Sequence, residues 1–175
     1  IAFLILSLIF WNYLLIKDIK PSNDKLNLAF SLIFLFMIFF QITLGAFVSG
    51  MDAGKVYNSW PLMGSSFFPD DNQFINLFSM SAFSDPTLVQ FMHRNLAYII
   101  LVFYLLILYK IYSSKLSSLY KTINLIGFIL IIQIILGIFT LISGAQIILA
   151  SMHQISSIFL VSSSVYFLYL NAKFN

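Results

Sequence analysis

Five long apolar stretches limit the folds that this chain can adopt. They alternate with polar segments, and several approach the roughly 20 residues that a helix needs to cross a bilayer. The stretches cover residues 1–16, 28–50, 88–109, 122–143 and 146–170. Because hydrocarbon offers no partner for an unpaired backbone group, each stretch is predicted to be a helix. The sequence therefore predicts an all-α, polytopic transmembrane bundle of about five helices.

The composition supports a place in a membrane. Hydrophobic residues make up 61% of the 175 residues and charged residues 9%, and the mean hydropathy is +0.98. The chain has no cysteine, so disulfides and thiolate ligands are excluded within it, and a bound metal would need imidazole ligands. The basic residues form no cluster typical of a soluble nucleic-acid-binding surface, so no nucleic-acid partner is expected.

The distribution of charge predicts the orientation in the membrane. Short loops rich in Lys or Arg tend to stay on the cytoplasmic side. This rule predicts that the segments 17–27 and 110–121 are cytoplasmic, together with the tail that carries Lys173. The acidic loop 51–87 and the turn near Gly144 are then predicted to lie on the outer side. The prediction is a multi-pass protein of the cell inner membrane, with the lipid bilayer as a partner. The lysines of the two inner loops are Lys17, Lys20, Lys25, Lys110, Lys115 and Lys121.

A short internal repeat organises the helices. QITLGAF at 41–47 matches QIILGIF at 133–139, and each copy precedes a helix with Met-His near its start. The pattern predicts two helical hairpins of one design, as duplication of a helix pair would produce. Small residues let helices approach closely and an intramembrane Gln can hydrogen-bond across them. These faces are therefore predicted to pack the bundle, and no chemistry is assigned to them.

The only two histidines, His93 and His153, form the candidate site. At ~1.5 Å per residue each lies about 8–10 Å inside a helix that enters from the outer side, and ionisable groups at such depth are usually functional. Ala97 and Ser157, one turn deeper, leave room for a flat macrocycle. Two imidazoles suit the axial positions of a haem iron, whereas zinc takes at least three protein ligands. Spacing alone leaves haem ligation and structural packing both open.

Arg94, directly after His93, has two interpretations. Its guanidinium is a candidate partner for a haem propionate, because it pairs well with a carboxylate. Alternatively, the side chain reaches the lipid headgroups or a loop carbonyl. Aromatic residues of the outer loop are explained by an interfacial aromatic belt. They are Tyr57, Trp60, Phe67 and Phe68.

Four segments carry a resemblance to a known family. They are AGKVYNSWPLMG at 53–64, VQFMHRNLAY at 89–98, QIILGIFTL at 133–141 and ASMHQ at 150–154. Together they resemble haem A synthase, the membrane enzyme that supplies haem A to terminal oxidases. The resemblance covers most of the chain, and its first two motifs are specific. The cysteine-free outer loop is similar to the form found in alphaproteobacteria and mitochondria.

The resemblance implies a fold of eight helices in two similar halves. Residues 28–175 would be the carboxy-terminal four-helix, haem-binding bundle, and residues 1–16 would be the last, truncated helix of the preceding half. His93 and His153 would be the axial ligands of a haem b that relays electrons. The family reaction oxidises a methyl group of haem O to the formyl group of haem A for cytochrome oxidase.

The same resemblance implies that the catalytic machinery lies elsewhere. The family's catalytic glutamate and second histidine pair belong to the amino-terminal half, and this chain contains no Glu. No catalytic residue is therefore expected here. The protein partners that the resemblance implies are haem O synthase and cytochrome oxidase assembly factors.

Two rival functions follow from the same residues. A membrane cytochrome would hold the haem only to transfer electrons, and an upstream half with Glu and two more histidines would argue against it. A transporter or structural bundle would use the repeat as two packed hairpins, with the histidines along a polar path. That reading predicts no haem on purification.

Overall fold

A computed structural model describes residues 1–172 and confirms the all-α prediction. The chain forms α1 (Ala2–Ile16), α2 (Leu28–Gly50), α3 (Pro86–Ser113), α4 (Tyr120–Ile142) and α5 (Ile147–Asn171). Helices α2 to α5 are long and apolar enough to cross a membrane, whereas α1 is apolar and shorter. The chain is thus a multi-pass membrane protein. Short 3-10 helices lie at Ala53–Lys55, Phe74–Phe78, Met80–Ser84 and Ser117–Leu119. Lys173 and the end of the predicted 28–175 unit lie outside the described residues.

Helix α3 extends beyond the predicted span 88–109 at both ends. Asp85 is its N-cap, and one carboxylate oxygen accepts the N–H groups of Thr87 at 2.9 Å and Leu88 at 3.1 Å. Pro86 occupies the first helical position, where a backbone N–H would have no partner within the helix, so the lack of one costs nothing. Burial raises the pKa of Asp85, but hydrogen bonds from Leu88, Thr87 and Asn72 together bring it below its ordinary value.

Helices α2 to α5 form a four-helix arrangement. Helix α2 packs on α3 and on α5, and α4 packs on α5 and, less extensively, on α3. The two histidine-bearing helices, α3 and α5, are therefore diagonal neighbours. Helix α1 packs on α5, where the Trp11 ring meets Tyr169 edge-on at 5.1 Å. The Tyr169 hydroxyl donates to the carbonyls of Leu14 at 3.3 Å and Ile19 at 2.9 Å.

The apolar core is concentrated at one end of the bundle. We name this the lysine end, because it carries the segments 17–27 and 114–119, and we name the opposite end, with residues 51–85, the loop end. Among the described residues, the buried side chains of α5 all lie from Leu160 to Asn171. Both histidines lie in the loop-end half of their helices. The candidate site therefore lies in the half of the bundle away from the largest cluster of buried apolar side chains.

Polar contacts close the lysine end. The ammonium of Lys25 donates to the carbonyls of Leu170 at 2.8 Å and Ala172 at 2.7 Å, at the last turn of α5. The Asp24 carboxylate accepts the backbone N–H and the hydroxyl of Ser118, each at 2.8 Å. These bonds hold the pKa of Asp24 below its ordinary value. Residues 17–27 thus join the end of α5 to the beginning of α4.

The contact between α3 and α4 depends on Gly127, and its substitution gives the first prediction. A Cβ at this position would overlap the hydroxyl of Tyr104, a side chain only 7% exposed that donates to the Ile123 carbonyl at 3.2 Å. Such overlap lowers the free energy of unfolding by about 1–3 kcal/mol. Replacing a glycine by alanine inside a helix raises it by up to about 1 kcal/mol, so the loss is larger than the gain. We expect Gly127→Ala to lower the midpoint of thermal unfolding in detergent.

The matched control is Gly50→Ala, because nothing lies within 4 Å of a Cβ at Gly50. Adding Tyr104→Phe to Gly127→Ala removes the overlapping oxygen and should restore part of the lost stability. An unchanged midpoint in Gly127→Ala would show that this glycine does not set the approach of the two helices.

Candidate functional site

Each histidine packs against a glycine of the neighbouring helix. A Cβ built at Gly45 of α2 would lie 3.2 Å from Cε1 of His93, and a Cβ built at Gly137 of α4 would lie 3.2 Å from Cε1 of His153. Both imidazoles therefore lie directly against helix backbone, where even a methyl group would make a tight contact. The same contact occurs in both of the hairpins that the repeat predicts.

A glutamine one turn before each glycine binds the main chain of the histidine. Gln41 Nε2 donates to the carbonyl of His93 at 3.0 Å, and Gln133 Nε2 donates to that of His153 at 3.1 Å. Gln41 Nε2 also lies 3.3 Å from Nε2 of His93. The repeat thus places an amide at the carbonyl of each histidine and a glycine backbone against each ring. The close packing and the hydrogen bond of an intramembrane Gln across to a neighbouring helix, both expected from the repeat, are thus present in both hairpins.

Each imidazole keeps one ring nitrogen available for a ligand. Nδ1 of each ring is buried and has no hydrogen-bond partner in the part of the chain that the structure describes. Within residues 1–172, no group of three or more His, Cys, Asp or Glu side chains could hold a metal ion. Two imidazoles without a third ligand fit a haem, whose macrocycle supplies the equatorial ligands, better than they fit zinc.

Arg94 attaches the connection 51–85 to α3. Its Nη2 donates to the carbonyl of Tyr57 at 2.9 Å, and its Nη1 donates to the carbonyls of Ser59 at 3.0 Å and Leu62 at 3.3 Å. Its Nε is buried and, among the described residues, has no partner. The sequence left open whether Arg94 reaches a haem propionate or a carbonyl of the loop, and the bonds to loop carbonyls are present. A bond to a haem propionate stays a prediction.

Two further hydrogen bonds strengthen this attachment. Gln90 Nε2 donates to the carbonyl of Tyr57 at 3.0 Å, and the indole N–H of Trp60 donates to the hydroxyl of Tyr98 at 3.0 Å. The carbonyl of Tyr57 therefore accepts from two side chains of α3. The two most specific sequence motifs, which are separated along the chain, form a single contact region.

Aromatic residues of the connection pack on the same face of α3. The rings of Phe67 and Phe68 meet Phe91 edge-on, with centroids 6.0 and 4.9 Å away, and Phe67 also stacks on Tyr98 at 6.4 Å. Phe67 and Phe68 thus hold the connection on the helix that carries His93. Their place in an interfacial aromatic belt stays a prediction.

The beginning of the connection also contacts the second hairpin. Asn58 Nδ2 donates to the carbonyl of Leu141 at 3.0 Å, in the last turn of α4. A Cβ at Gly54 would lie 3.3 Å from Cβ of Ala145, in the turn between α4 and α5. The connection therefore bridges the loop ends of both hairpins.

Comparison with known proteins identifies the family. Residues 1–165 match the model of a family described as cytochrome oxidase assembly protein, COX15-CtaA. The chain belongs to the COX15-CtaA family. The resemblance to haem A synthase drawn from its motifs is confirmed. No solved structure matches the chain.

Several curated relatives in the COX15-CtaA family are named Heme A synthase. The relative from Pelagibacter ubique (strain HTCC1062) is 44% identical over 173 residues, which cover 99% of this chain and 51% of the relative. The relative from Rickettsia prowazekii (strain Madrid E) is 39% identical over 97% of this chain and 53% of its own length. The relative from Wolbachia pipientis wMel is 36% identical over 96% of this chain and 47% of its own length. The chain spans about half the length of these relatives.

In this COX15-CtaA chain, the attachment by Arg94 gives the second prediction. A lysine cannot reproduce the guanidinium fork that binds several carbonyls, and each lost hydrogen bond costs roughly 0.5–1.5 kcal/mol. We expect Arg94→Lys to speed amide exchange at residues 63–65 by roughly tenfold, since 1.4 kcal/mol is a factor of ten in an opening equilibrium. Hydrogen exchange with mass spectrometry in detergent measures the effect.

Lys55→Gln is the control, because among residues 1–172 the ammonium of Lys55 forms an ion pair only with the exposed Asp52, at 2.7 Å, and such pairs contribute little to stability. It should leave the exchange at residues 63–65 unchanged. Equal exchange in Arg94→Lys and the unaltered chain would mean that other contacts hold the connection.

Proposed function

We propose that this chain is the carboxy-terminal, haem b-binding half of a haem A synthase. The whole protein would oxidise the methyl group of haem O to the formyl group of haem A for cytochrome oxidase. One observation carries the proposal: His93 and His153 make equivalent contacts with Gly45 and Gly137 on neighbouring helices. The names of the relatives that match almost the whole chain support the reaction.

In this proposal the residues of the chain provide and orient the two axial ligands. His93 and His153 would bind the iron, and the amides of Gln41 and Gln133 hold the backbone of each ligand in place through its carbonyl. A haem held by both imidazoles would supply one-electron transfer and would not bind oxygen. The catalytic residues of the whole protein would lie outside these 175 residues.

Arg94 is proposed to have a second role at this site. Its two terminal nitrogens bind loop carbonyls, and its buried Nε–H remains available for a haem propionate. A carboxylate at that position would form a charge-assisted hydrogen bond. The same side chain would then join the connection 51–85 to the cofactor.

The proposed orientation follows from the charges at the two ends. The lysine end, with the segment 17–27, would face the cytoplasm, and the loop end, with the histidine pair and residues 51–87, would face the periplasm of a cell inner membrane. Residues 1–16 would be the last helix of the preceding half, and the packing of α1 on α5 supports this role. Haem O synthase and cytochrome oxidase assembly factors are the proposed protein partners.

The third prediction tests the haem site directly. The chain, purified in detergent after haem-sufficient expression, should show a low-spin b-type absorption spectrum in its oxidised and dithionite-reduced forms. His93→Ala or His153→Ala should lose the haem or convert it to high spin, because one axial ligand is missing. Stoichiometric protein without haem would refute the proposal and favour a transport or packing role.

The two glycines give the fourth prediction. Gly45→Val and Gly137→Val add a branched side chain where even a Cβ would be 3.2 Å from an imidazole carbon. Overpacking of about 1–3 kcal/mol should displace the ring and reduce haem affinity roughly tenfold or more. The haem-to-protein ratio and the spin state measure this effect.

Gly50→Val is the control, since there is open space around a Cβ at Gly50. It should retain the low-spin haem. Full retention in both Gly45→Val and Gly137→Val would show that the glycine contacts do not position the ligands.

A further inference from the structure

One uncharged segment of the connection exposes large apolar side chains. Residues 73–84 read QFINLFSMSAFS and contain no charged residue. We name them the apolar segment. Its most exposed large side chains are Phe74 at 62%, Ile75 at 68%, Phe78 at 76% and Met80 at 84%. They lie within seven consecutive residues of a connection between membrane spans, and a contiguous apolar surface of this kind marks a site of interaction.

The apolar segment is held in a defined orientation. It consists mainly of two short 3-10 helices, Phe74–Phe78 and Met80–Ser84. Ala82 is 0% exposed and packs inward, and Asn76 Nδ2 donates to the side-chain oxygen of Asn72 at 2.8 Å. Ala82 and Asn76 thus attach the segment to the protein, whereas the side chains of Ile75, Phe78 and Met80 are mostly exposed.

A ring contact places the apolar segment at the end of a membrane-spanning helix. The Phe83 ring lies 6.2 Å from the ring of Phe47, which is itself 41% exposed on α2. Phe47 precedes the last residue of α2, Gly50, by three positions, or about 5 Å along the helix axis. The exposed surface of the segment is therefore continuous with the apolar, lipid-facing surface of α2 near the membrane boundary.

We propose that the apolar segment inserts into the boundary between headgroups and acyl chains of the loop-end leaflet, with phospholipid as its partner. Phenylalanine, isoleucine and methionine side chains would enter the acyl region, and no ionised group would leave water with them. Asp70 and Asp71, on the preceding turn, already bind Ser65 and Tyr57 and remain at the polar side. Residues 56–85 contain no Lys or Arg, so insertion requires no anionic lipid.

Site-directed spin labelling tests this proposal without reference to haem. The chain has no cysteine, so a single introduced cysteine carries a single nitroxide. Labels at Ile75→Cys, Phe78→Cys and Met80→Cys are placed in phosphatidylcholine vesicles, and collisions with oxygen, which enters lipid, are compared with those of a water-soluble nickel chelate. Lys55→Cys is the water-facing control, and Ile131→Cys, at a site 56% exposed in the middle of α4, is the lipid-facing control.

The expected oxygen-to-nickel collision ratio at 75, 78 and 80 is several-fold above that of the label at 55 and approaches that at 131. It should be the same when phosphatidylglycerol is added. A ratio equal to that at 55 would show that the segment lies in water. Shielding from both reagents would show that protein, such as a second copy of the chain, covers it. Either outcome overturns the proposal, and circular dichroism confirms that each labelled variant retains its helices.

Discussion

The hydrogen bond from a glutamine amide to a histidine carbonyl fixes the geometry on which the site depends. A carbonyl inside a helix already accepts one backbone N–H, and its second lone pair is free to accept another donor. An amide in hydrocarbon must find such an acceptor, so Gln41 and Gln133 set the register of each hairpin. The glycine one turn further along then meets the ring itself. Because both hairpins use the same register, the two histidines have equivalent surroundings on diagonal helices.

The connection between α2 and α3 has little core of its own and takes its order from α3. A guanidinium near the membrane boundary needs acceptors, and Arg94 finds them in backbone carbonyls of the connection. The order of this region is therefore a consequence of charge solvation as well as of aromatic packing. The turn around Asp70 has its own support, because hydrogen bonds from Ser65 and Ser66 hold the pKa of that carboxylate below its ordinary value.

The sequence predicts the helices well, because hydropathy reports burial in lipid directly. It misses the beginning of α3 by two residues, since an Asp-Pro cap at 85–86 is polar and does not extend an apolar run. The histidine pair is singled out by its rarity and its expected depth, and its role as a ligand pair stays a prediction. The contacts of Gln41 and Gly45 with His93 could not be predicted, because contacts between helices depend on a register that spacing within one helix does not specify. For the same reason, the sequence could not decide whether the guanidinium of Arg94 binds a haem propionate or a headgroup or carbonyl outside the helix.

The buried apolar side chains are concentrated at the lysine end, so the two ends of the bundle depend on different interactions. The lysine end is closed by close-packed apolar side chains and by polar contacts between the 17–27 segment, α4 and α5. These interactions need no cofactor, so they can form as soon as the helices assemble in the bilayer. At the loop end, no residue of α5 from 147 to 159 is fully buried among those described, and the hydrogen bonds and aromatic contacts of the connection hold the helices together. A bundle built in this way can fold from its lysine end before the contacts of the connection at its loop end form.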